Sequence, residues 1–302
     1  MNNETAACRC KYGFIGVGNM ASALIAGLMD TGTVRPDNIM VFDIDGTRCA
    51  PFADRGALAA ASAAQVCASC AYIYLAVKPY QMRDCLAGLK DAPLAEEAVF
   101  VSIAASVPTD FITAQLGRDV GVIRVMPSTP MLVGKGASAV TANRFVPAGR
   151  LEDFVADLKR VSVVEVTDES LLNPIISVNG SSPAYCYLFI KAMLDGAAAQ
   201  GISAEIAQPL ILQTVEGAVE MVLRSFARCR PPAGRRWPRW RRLRKAALYS
   251  PWRRLCAPVR SAPTRSPPNC DNAGGCRIQY NGTSFTGRTP RQTAAMQKGV
   301  LC

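Results

Sequence analysis

The chain has 302 residues, half of them apolar and 19% charged, a globular composition with material for about two domains. It holds no histidine, which excludes histidine triads, histidine zinc sites and histidine pH switches and leaves Lys, Tyr, Cys, a carboxylic acid or water for any proton transfer. The net charge of +11 hides a break in composition: residues 1–223 carry 16 Lys and Arg against 22 Asp and Glu, whereas residues 224–302 carry 18 against the single acid Asp271, with all three tryptophans and nine of the 20 prolines.

Tyr12–Ile15 is a short apolar run that ends in glycines, and Ala21, Leu24, Ile25 and Leu28 then recur at helical spacing. Ile39–Phe42, Tyr72–Val77, Val99–Ile103 and Val120–Met126 are further short runs, apolar on both faces and separated by helix-like or polar sequence. Strands buried on both faces and joined by helical crossovers predict an α/β fold with a doubly wound parallel sheet. After Thr167 the strand signals stop. Glu169–Ser177, Ala184–Gln200 and Glu205–Leu223 read as helices, with Pro183 and Pro209 placed in first turns and Gly201 closing the middle helix. From Arg224 proline interrupts each candidate helix, and no period of 3.6 or 2 is sustained. The expected organisation is a dinucleotide-binding unit over 1–167, an incomplete helical unit over 168–223, and an unstructured basic tail over 224–302.

Tyr12–Met29 is nearly free of charge, but its glycines belong to a turn, so we expect no targeting segment, no membrane partner and a cytoplasmic protein. The twelve cysteines are irregularly spaced. Cys67 and Cys70 form a C-x-x-C without a second pair, which reads as structural, and no metal is expected.

The sharpest local motif is Gly16-Val17-Gly18-Asn19-Met20-Ala21, a G-x-G-x-x-A between a strand and an amphipathic helix. The first glycine allows the tight turn, the second admits a pyrophosphate, and Ala21 lets the helix pack close to the sheet. The helix N-terminus then offers free N–H groups to phosphate. Asp43 ends the second strand 22 residues after Ala21. An acid there accepts from a ribose 2′-OH and repels a 2′-phosphate, with Arg48 near enough to offset part of that repulsion.

Four blocks in order, GFIGVGNMASALIAG, LAVKP (Leu75–Pro79), RVMPSTPMLVGKGASA (Arg124–Ala139) and NGSSPAYCYLFIKAMLDGAAAQGI (Asn179–Ile202), resemble the pyrroline-5-carboxylate reductase family over residues 11–223. The resemblance implies a Rossmann domain followed by a helical dimerisation domain. It implies NAD(P)H-dependent reduction of 1-pyrroline-5-carboxylate to L-proline by a homodimer or higher oligomer. It places Gly16, Gly18, Asn19 and Met20 at the pyrophosphate, and Ala76, Val77, Lys78 and Pro79 along the adenosine and ribose. Met126, Thr129 and Pro130 fall near the nicotinamide, and Gly180, Ser181, Pro183 and Ala184 open the helix that crosses the dimer. No catalytic side chain is assigned.

The chain departs from the family pattern at four places. Ser128 stands where the family commonly has Asn, and Ser182 where it commonly has Gly. Asp43 stands where NADPH-using forms often have a hydroxyl residue, which tilts the expected cofactor from NADPH toward NADH. The S-P-G-G-T-T signature that holds the substrate carboxylate in the family is not found, so the expected chain lacks that site and its dimer is in doubt. The tail resembles out-of-frame translation of GC-rich coding sequence or an unrelated replacement. Two other readings are a reductase of the beta-hydroxyacid dehydrogenase type, with Lys191 on the long helix as its catalytic lysine, and a tail that binds nucleic acid through its charge and tryptophans. A disordered tail without a nucleic-acid ligand is the preferred expectation.

Overall fold

The computed structural model describes residues 10–228; the tail expected to be unstructured from 224 is helical over its first five residues, and the rest of that expectation lies outside the described residues. The five apolar runs all form strands, each within two residues of its expected ends. In chain order the elements are β1 (Cys10–Ile15), α1 (Asn19–Asp30), β2 (Ile39–Phe42), α2 (Ala50–Ala53), β3 (Leu58–Ala59), α3 (Ala63–Ser69), β4 (Cys70–Leu75), α4 (Met82–Ala87), β5 (Val99–Ser102), α5 (Thr109–Leu116) and β6 (Gly121–Met126). There follow β7 (Gly136–Ala142), α6 (Arg150–Leu158), β8 (Ser162–Val166), α7 (Glu169–Ile175), α8 (Ser182–Ala199) and α9 (Ala204–Arg228).

The strands form one sheet in the order β3-β2-β1-β4-β5-β6-β7-β8. The first six are parallel, β7 runs antiparallel to β6, and β8 pairs parallel with β7. The order 3-2-1-4-5-6 is that of a doubly wound dinucleotide-binding sheet. Alternation along the strands sends side chains to two cores. On one face Tyr12, Phe14, Tyr72, Tyr74 and Val101 meet Leu24, Ile25 and Leu28 of α1 and Phe154 and Leu158 of α6. On the other, Ile15, Ile73, Leu75 and Phe100 meet Val66 and Cys67 of α3, Met82 and Leu86 of α4, and Ile112 and Leu116 of α5.

Aromatic stacking knits β1 to β4. Phe14 lies 4.4 Å from Tyr74 and Tyr12 lies 5.2 Å from Tyr72, centroid to centroid. The buried phenols still find partners: Tyr12 donates to Asp157 Oδ2 at 2.7 Å and Tyr72 to the Arg150 carbonyl at 2.8 Å. Burial pushes the Tyr72 phenol up to about 12.

Three strands escape the apolar-run reading. β3 is two residues long, and β7, GASAVTA, is made mostly of small residues. β8 at the sheet edge exposes Val163, Glu165 and Val166, so it never reads as buried on both faces. The helices differ at their ends. Pro209 lies in the second turn of α9, not the first, because that helix opens at Ala204. Its missing N–H leaves the Glu205 carbonyl without its helical donor. α9 also continues past Leu223 to Arg228, supported by an Arg224–Glu220 pair at 2.9 Å. Pro174 lies inside the last turn of α7, and a π-helical turn, Ile176–Gly180, carries the chain into α8.

A buried ion pair fixes α7 on the sheet. Arg124 on β6 is 1% exposed. Its guanidinium donates to Glu169 Oε1 at 3.2 Å and to Asn173 Oδ1 at 2.6 Å, both on α7. Glu169 also accepts from the Thr109 N–H at 2.8 Å and the Thr109 hydroxyl at 2.7 Å, at the start of α5. Desolvation opposes the Glu169 carboxylate, but the bonds from Thr109 and the Arg124 charge more than offset it and hold its pKa below the ordinary 4.5. A depressed carboxylate contributes stability above its unfolded pKa and loses it as pH falls through the folded value. Glu169→Ala should therefore destabilise the fold at pH 7 by about 2–3 kcal/mol, the low side for a broken buried pair because Glu169 is partly exposed. Urea unfolding of the chain and the variant should show that gap narrowing as the pH is lowered below about 4.5.

Candidate functional site

The winding of the sheet reverses between β1 and β4, and a cleft of about 630 Å³ opens there at the carboxyl ends of the strands. Gly16, Gly18, Asp43, Ala76, Val77 and Lys78, all expected from sequence, line it together. So do Asp45, Arg48, Tyr80, Gln81 and Cys85.

The two turn glycines are required for different reasons. Gly16 has φ +96°, and a Cβ there would stand 2.8 Å from the Ala76 carbonyl oxygen, so the fold itself demands glycine. Beside Gly18 no atom lies within 4 Å of a Cβ position. Its lack of a side chain leaves open space at the mouth of the cleft rather than filling a packing need. Gly18 is also the N-cap of α1 and offers no side-chain cap, and the first turn of α1 holds no acid. Unclaimed N–H groups, a positive helix end and a bare glycine fit a pyrophosphate.

Asp43 is bound more tightly than its position in sequence implies. Its Oδ2 accepts the Val17 N–H of the glycine turn at 2.7 Å, and its Oδ1 accepts the Asp45 N–H at 2.9 Å. Asp45 in turn accepts from the Thr47 N–H at 3.2 Å, the Thr47 hydroxyl at 2.6 Å and Arg48 Nε at 3.4 Å. The Thr47 hydroxyl bond is the largest influence holding the Asp45 carboxyl below its usual range. Sequence reasoning missed Asp45, although an Asp three residues before an Arg, just past a strand end, was there to be read.

On the β4 side, Lys78 and Pro79 are exposed, and Pro79 opens a 3-10 turn to Gln81. The Lys78 N–H donates to Gln81 Oε1 at 3.3 Å, which holds the backbone extended as it leaves β4. Cys85, on the cleft wall, has its thiol pushed up to about 11 by burial. Asn19 and Met20 begin α1 and do not line the cleft.

The remaining expected residues gather at the end of β6, two strand spacings from β4, or about 10 Å along the same sheet edge. Met126 is buried, Thr129 is exposed and Pro130 is half-buried. The Ser128 Oγ accepts the Ala137 N–H at 2.9 Å, which fastens the 126–130 loop to β7. Asn179, in the π-turn, donates through Nδ2 to the Met126 carbonyl at 2.8 Å and to the Ala137 carbonyl at 3.1 Å. These bonds bring the 179–184 block onto the 126–130 loop. Gly180 closes the π-turn, Ser181 is the N-cap of α8, Pro183 sits in its first turn, and Ala184 is exposed.

Lys191 does not reach this edge. It is exposed on α8 and pairs with Asp195 at 2.7 Å. Cys67 and Cys70 are buried in the core against β1, with the Cys67 thiol pushed up to about 12 by burial. α8 and α9 expose Tyr187, Leu188, Phe189, Leu210 and Met221, and an apolar groove of about 410 Å³ runs between them, lined by Phe189, Met193, Val215, Val219 and Val222. An apolar surface this continuous marks an interface.

The comparisons with known proteins agree with this geometry. Residues 169–234 match the family model described as pyrroline-5-carboxylate reductase dimerisation, and residues 11–106 match NADP oxidoreductase coenzyme F420-dependent. The pyrroline-5-carboxylate reductase of Escherichia coli strain K12 is 38% identical over 214 residues, which cover 70% of this chain and 79% of the relative. That of Pseudomonas aeruginosa is 37% identical over 217 residues, covering 71% and 79%. Among solved structures, the Coxiella burnetii pyrroline-5-carboxylate reductase superposes with a TM-score of 0.70 at 28% identity, over 82% of this chain and 95% of the other. The Plasmodium falciparum pyrroline carboxylate reductase with NADP bound superposes with a TM-score of 0.67 at 24% identity, a likeness of fold. The chain therefore belongs to the pyrroline-5-carboxylate reductase family, oxidoreductases that reduce 1-pyrroline-5-carboxylate to L-proline with a nicotinamide dinucleotide as hydride donor.

Proposed function

We propose that residues 1–167 of this cytoplasmic enzyme hold the dinucleotide, that residues 168–223 form its substrate and dimer surface, and that NADH is preferred to NADPH. The observation that carries this reading is the cleft at the β1/β4 reversal, with its open Gly18 and its two carboxylates, Asp43 and Asp45. A 2′-phosphate entering there meets both acids and one guanidinium, Arg48, that is already paired with Asp45. A ribose 2′-OH meets the same groups without like-charge repulsion.

When bound, the dihydronicotinamide supplies the hydride for the C=N carbon of the cyclic imine. The protein's part is to bind and orient. Gly16 and Gly18 present backbone to the pyrophosphate, and Asn19 and Met20, outside the cleft wall itself, contribute the N–H groups of the helix N-terminus at its mouth. Ala76, Val77, Lys78 and Pro79 follow the adenosine and ribose. Met126, Thr129 and Pro130 form the nicotinamide wall, held rigid by Ser128 and Asn179. Gly180, Ser181, Pro183 and Ala184 start the substrate-side helix. A protonated imine is already electrophilic, so a chain without histidine meets no obstacle in this chemistry.

Gly18→Val should weaken NADH binding by about two orders of magnitude with the fold retained, because a Cβ there has no atom within 4 Å. Isothermal titration alongside a melting curve checks both halves of that statement.

The family's carboxylate-binding signature, S-P-G-G-T-T, is not found in the chain. We infer that its turnover is therefore negligible and its dimer weak. The purified chain should bind NADH yet show almost no pyrroline-5-carboxylate-dependent NADH oxidation. Joining a family C-terminal segment containing that signature after Leu223 should restore both dimer and turnover, measured by light scattering and by absorbance at the dihydronicotinamide band. A robust rate from the unaltered chain would sink the inference.

A further inference from the structure

The groove of about 410 Å³ between α8 and α9 is apolar but for Thr214, whose hydroxyl is spent on the Leu210 carbonyl at 2.7 Å. Phe189, Val219 and Leu223 in its wall are 50%, 55% and 58% exposed. It has the size that buries a drug-sized ring system, and leaving it wet is unfavourable in proportion to its apolar area. The two helices are also acidic. Over 182–223 the acids Asp195, Glu205, Glu216 and Glu220 stand against the single base Lys191, all of them exposed. Asp195 pairs with Lys191 and Glu220 with Arg224, whereas Glu205 and Glu216 meet no base among the described residues.

The sequence supplies an occupant by its connectivity and its composition. Leu223, at one end of the groove wall, lies five residues before Arg228, the last described residue, or about 8 Å along the helix. The α9 wall from Thr214 to Leu223 runs about 14 Å further. Trp237 follows Arg228 by nine residues, a reach of up to about 30 Å, enough to return along the whole groove. Residues 237–252 then hold all three tryptophans of the chain, with Leu243, Leu248 and Tyr249, five Arg and Lys, and no acid. A second copy would bring the same acidic helices to the groove. Residues 237–252 bring aromatic rings and the opposite charge. They also arrive tethered, at an effective concentration on the order of millimolar, far above that of a second copy in dilute solution.

We propose that residues 237–252 occupy the α8–α9 groove of their own chain, with tryptophan rings against Phe189 and Val219, and so withhold this face from a second copy. The rings cover the apolar wall, and the neighbouring arginines offset Glu205 and Glu216. The assignment is independent of what the cleft at the β1/β4 reversal binds.

Residues 1–228 contain no tryptophan, so the intrinsic tryptophan fluorescence of the full chain reads this segment alone. Its emission should be blue-shifted and shielded from acrylamide relative to the urea-unfolded chain. It should stay so on dilution, where light scattering gives a monomer. Val219→Asn and Val222→Asn should each move the emission to the red and restore most of the quenching of the unfolded chain. Raised salt should act in the same direction to a smaller degree, because it screens the arginine–glutamate attraction. Both valines are exposed on α9, so the fold should persist, and a circular-dichroism melt checks it. The double variant Trp237→Ser, Trp240→Ser alters no described residue. It should tighten self-association about tenfold by light scattering, the lower scale for losing a buried aromatic anchor. Indoles as quenchable in the full chain as in urea overturn the proposal. So do shielded indoles that ignore both valine substitutions. Shielding that rises with protein concentration in step with a dimer mass also overturns it, and assigns the groove to a second copy.

Discussion

Everything in the cofactor half follows from one reversal of winding. β1 is central, with β2 on one side and β4 on the other. The chain leaves β1 through α1 and returns on the β2 side, then crosses to β4 and continues outward to β6. Helices that leave neighbouring strands in opposite directions cannot fill the space above the strand ends, so a crevice is left there. The turn after β1, the loop after β2 and the extended segment after β4 all empty into it. Their chemistry is mostly backbone: N–H groups of a helix start, a carboxylate that braces a turn, and a strand end held straight by Gln81.

The second half of the site is placed by burying charge. Arg124 projects from the middle of β6 and is met by α7 and by the start of α5. A guanidinium so enclosed is costly unless each nearby acceptor is in place, so α7 has one favourable seat on the sheet. That seat carries the π-turn with it, and Asn179 then reaches the carbonyls of Met126 and Ala137. The helix that opens at Ser182 is aimed by this chain of polar contacts more than by its own composition. Among the described residues, its exposed Tyr187, Leu188 and Phe189 find little to pack against.

Sequence reading recovers what depends on local pattern. Short apolar runs bounded by glycine become β1, β2, β4, β5 and β6, since strands buried on both faces must be apolar throughout. The glycine turn is legible because each glycine has its own steric reason. β7 and β8 are not legible: one is built of small residues and the other is half wet, so neither shows a buried-strand period. Pro209 misleads because proline marks a first turn only statistically, and a helix accepts it a turn later at the loss of one hydrogen bond. Asp43 illustrates a different limit. Its position after β2 identifies it as a cleft residue, but its bond to Val17 spans 26 positions and depends on the exact seating of two loops.

The two ends of the proposed site differ in what they require of the chain. The dinucleotide end is assembled from strand ends within one sheet, and its groups are positioned by contacts inside residues 10–228. The acceptor end asks for more. A small cyclic imine acid has few atoms, and its carboxylate is the handle by which it can be oriented. Orientation is also most of what the protein contributes to a hydride transfer. Along the sheet edge near Met126, the described polar groups are largely spent on structure: Ser128 on Ala137, Asn179 on two carbonyls, Arg124 on Glu169. Groups with such structural duties have less left to offer a substrate carboxylate. For the same reason, cofactor binding and substrate orientation make separate demands on the sequence.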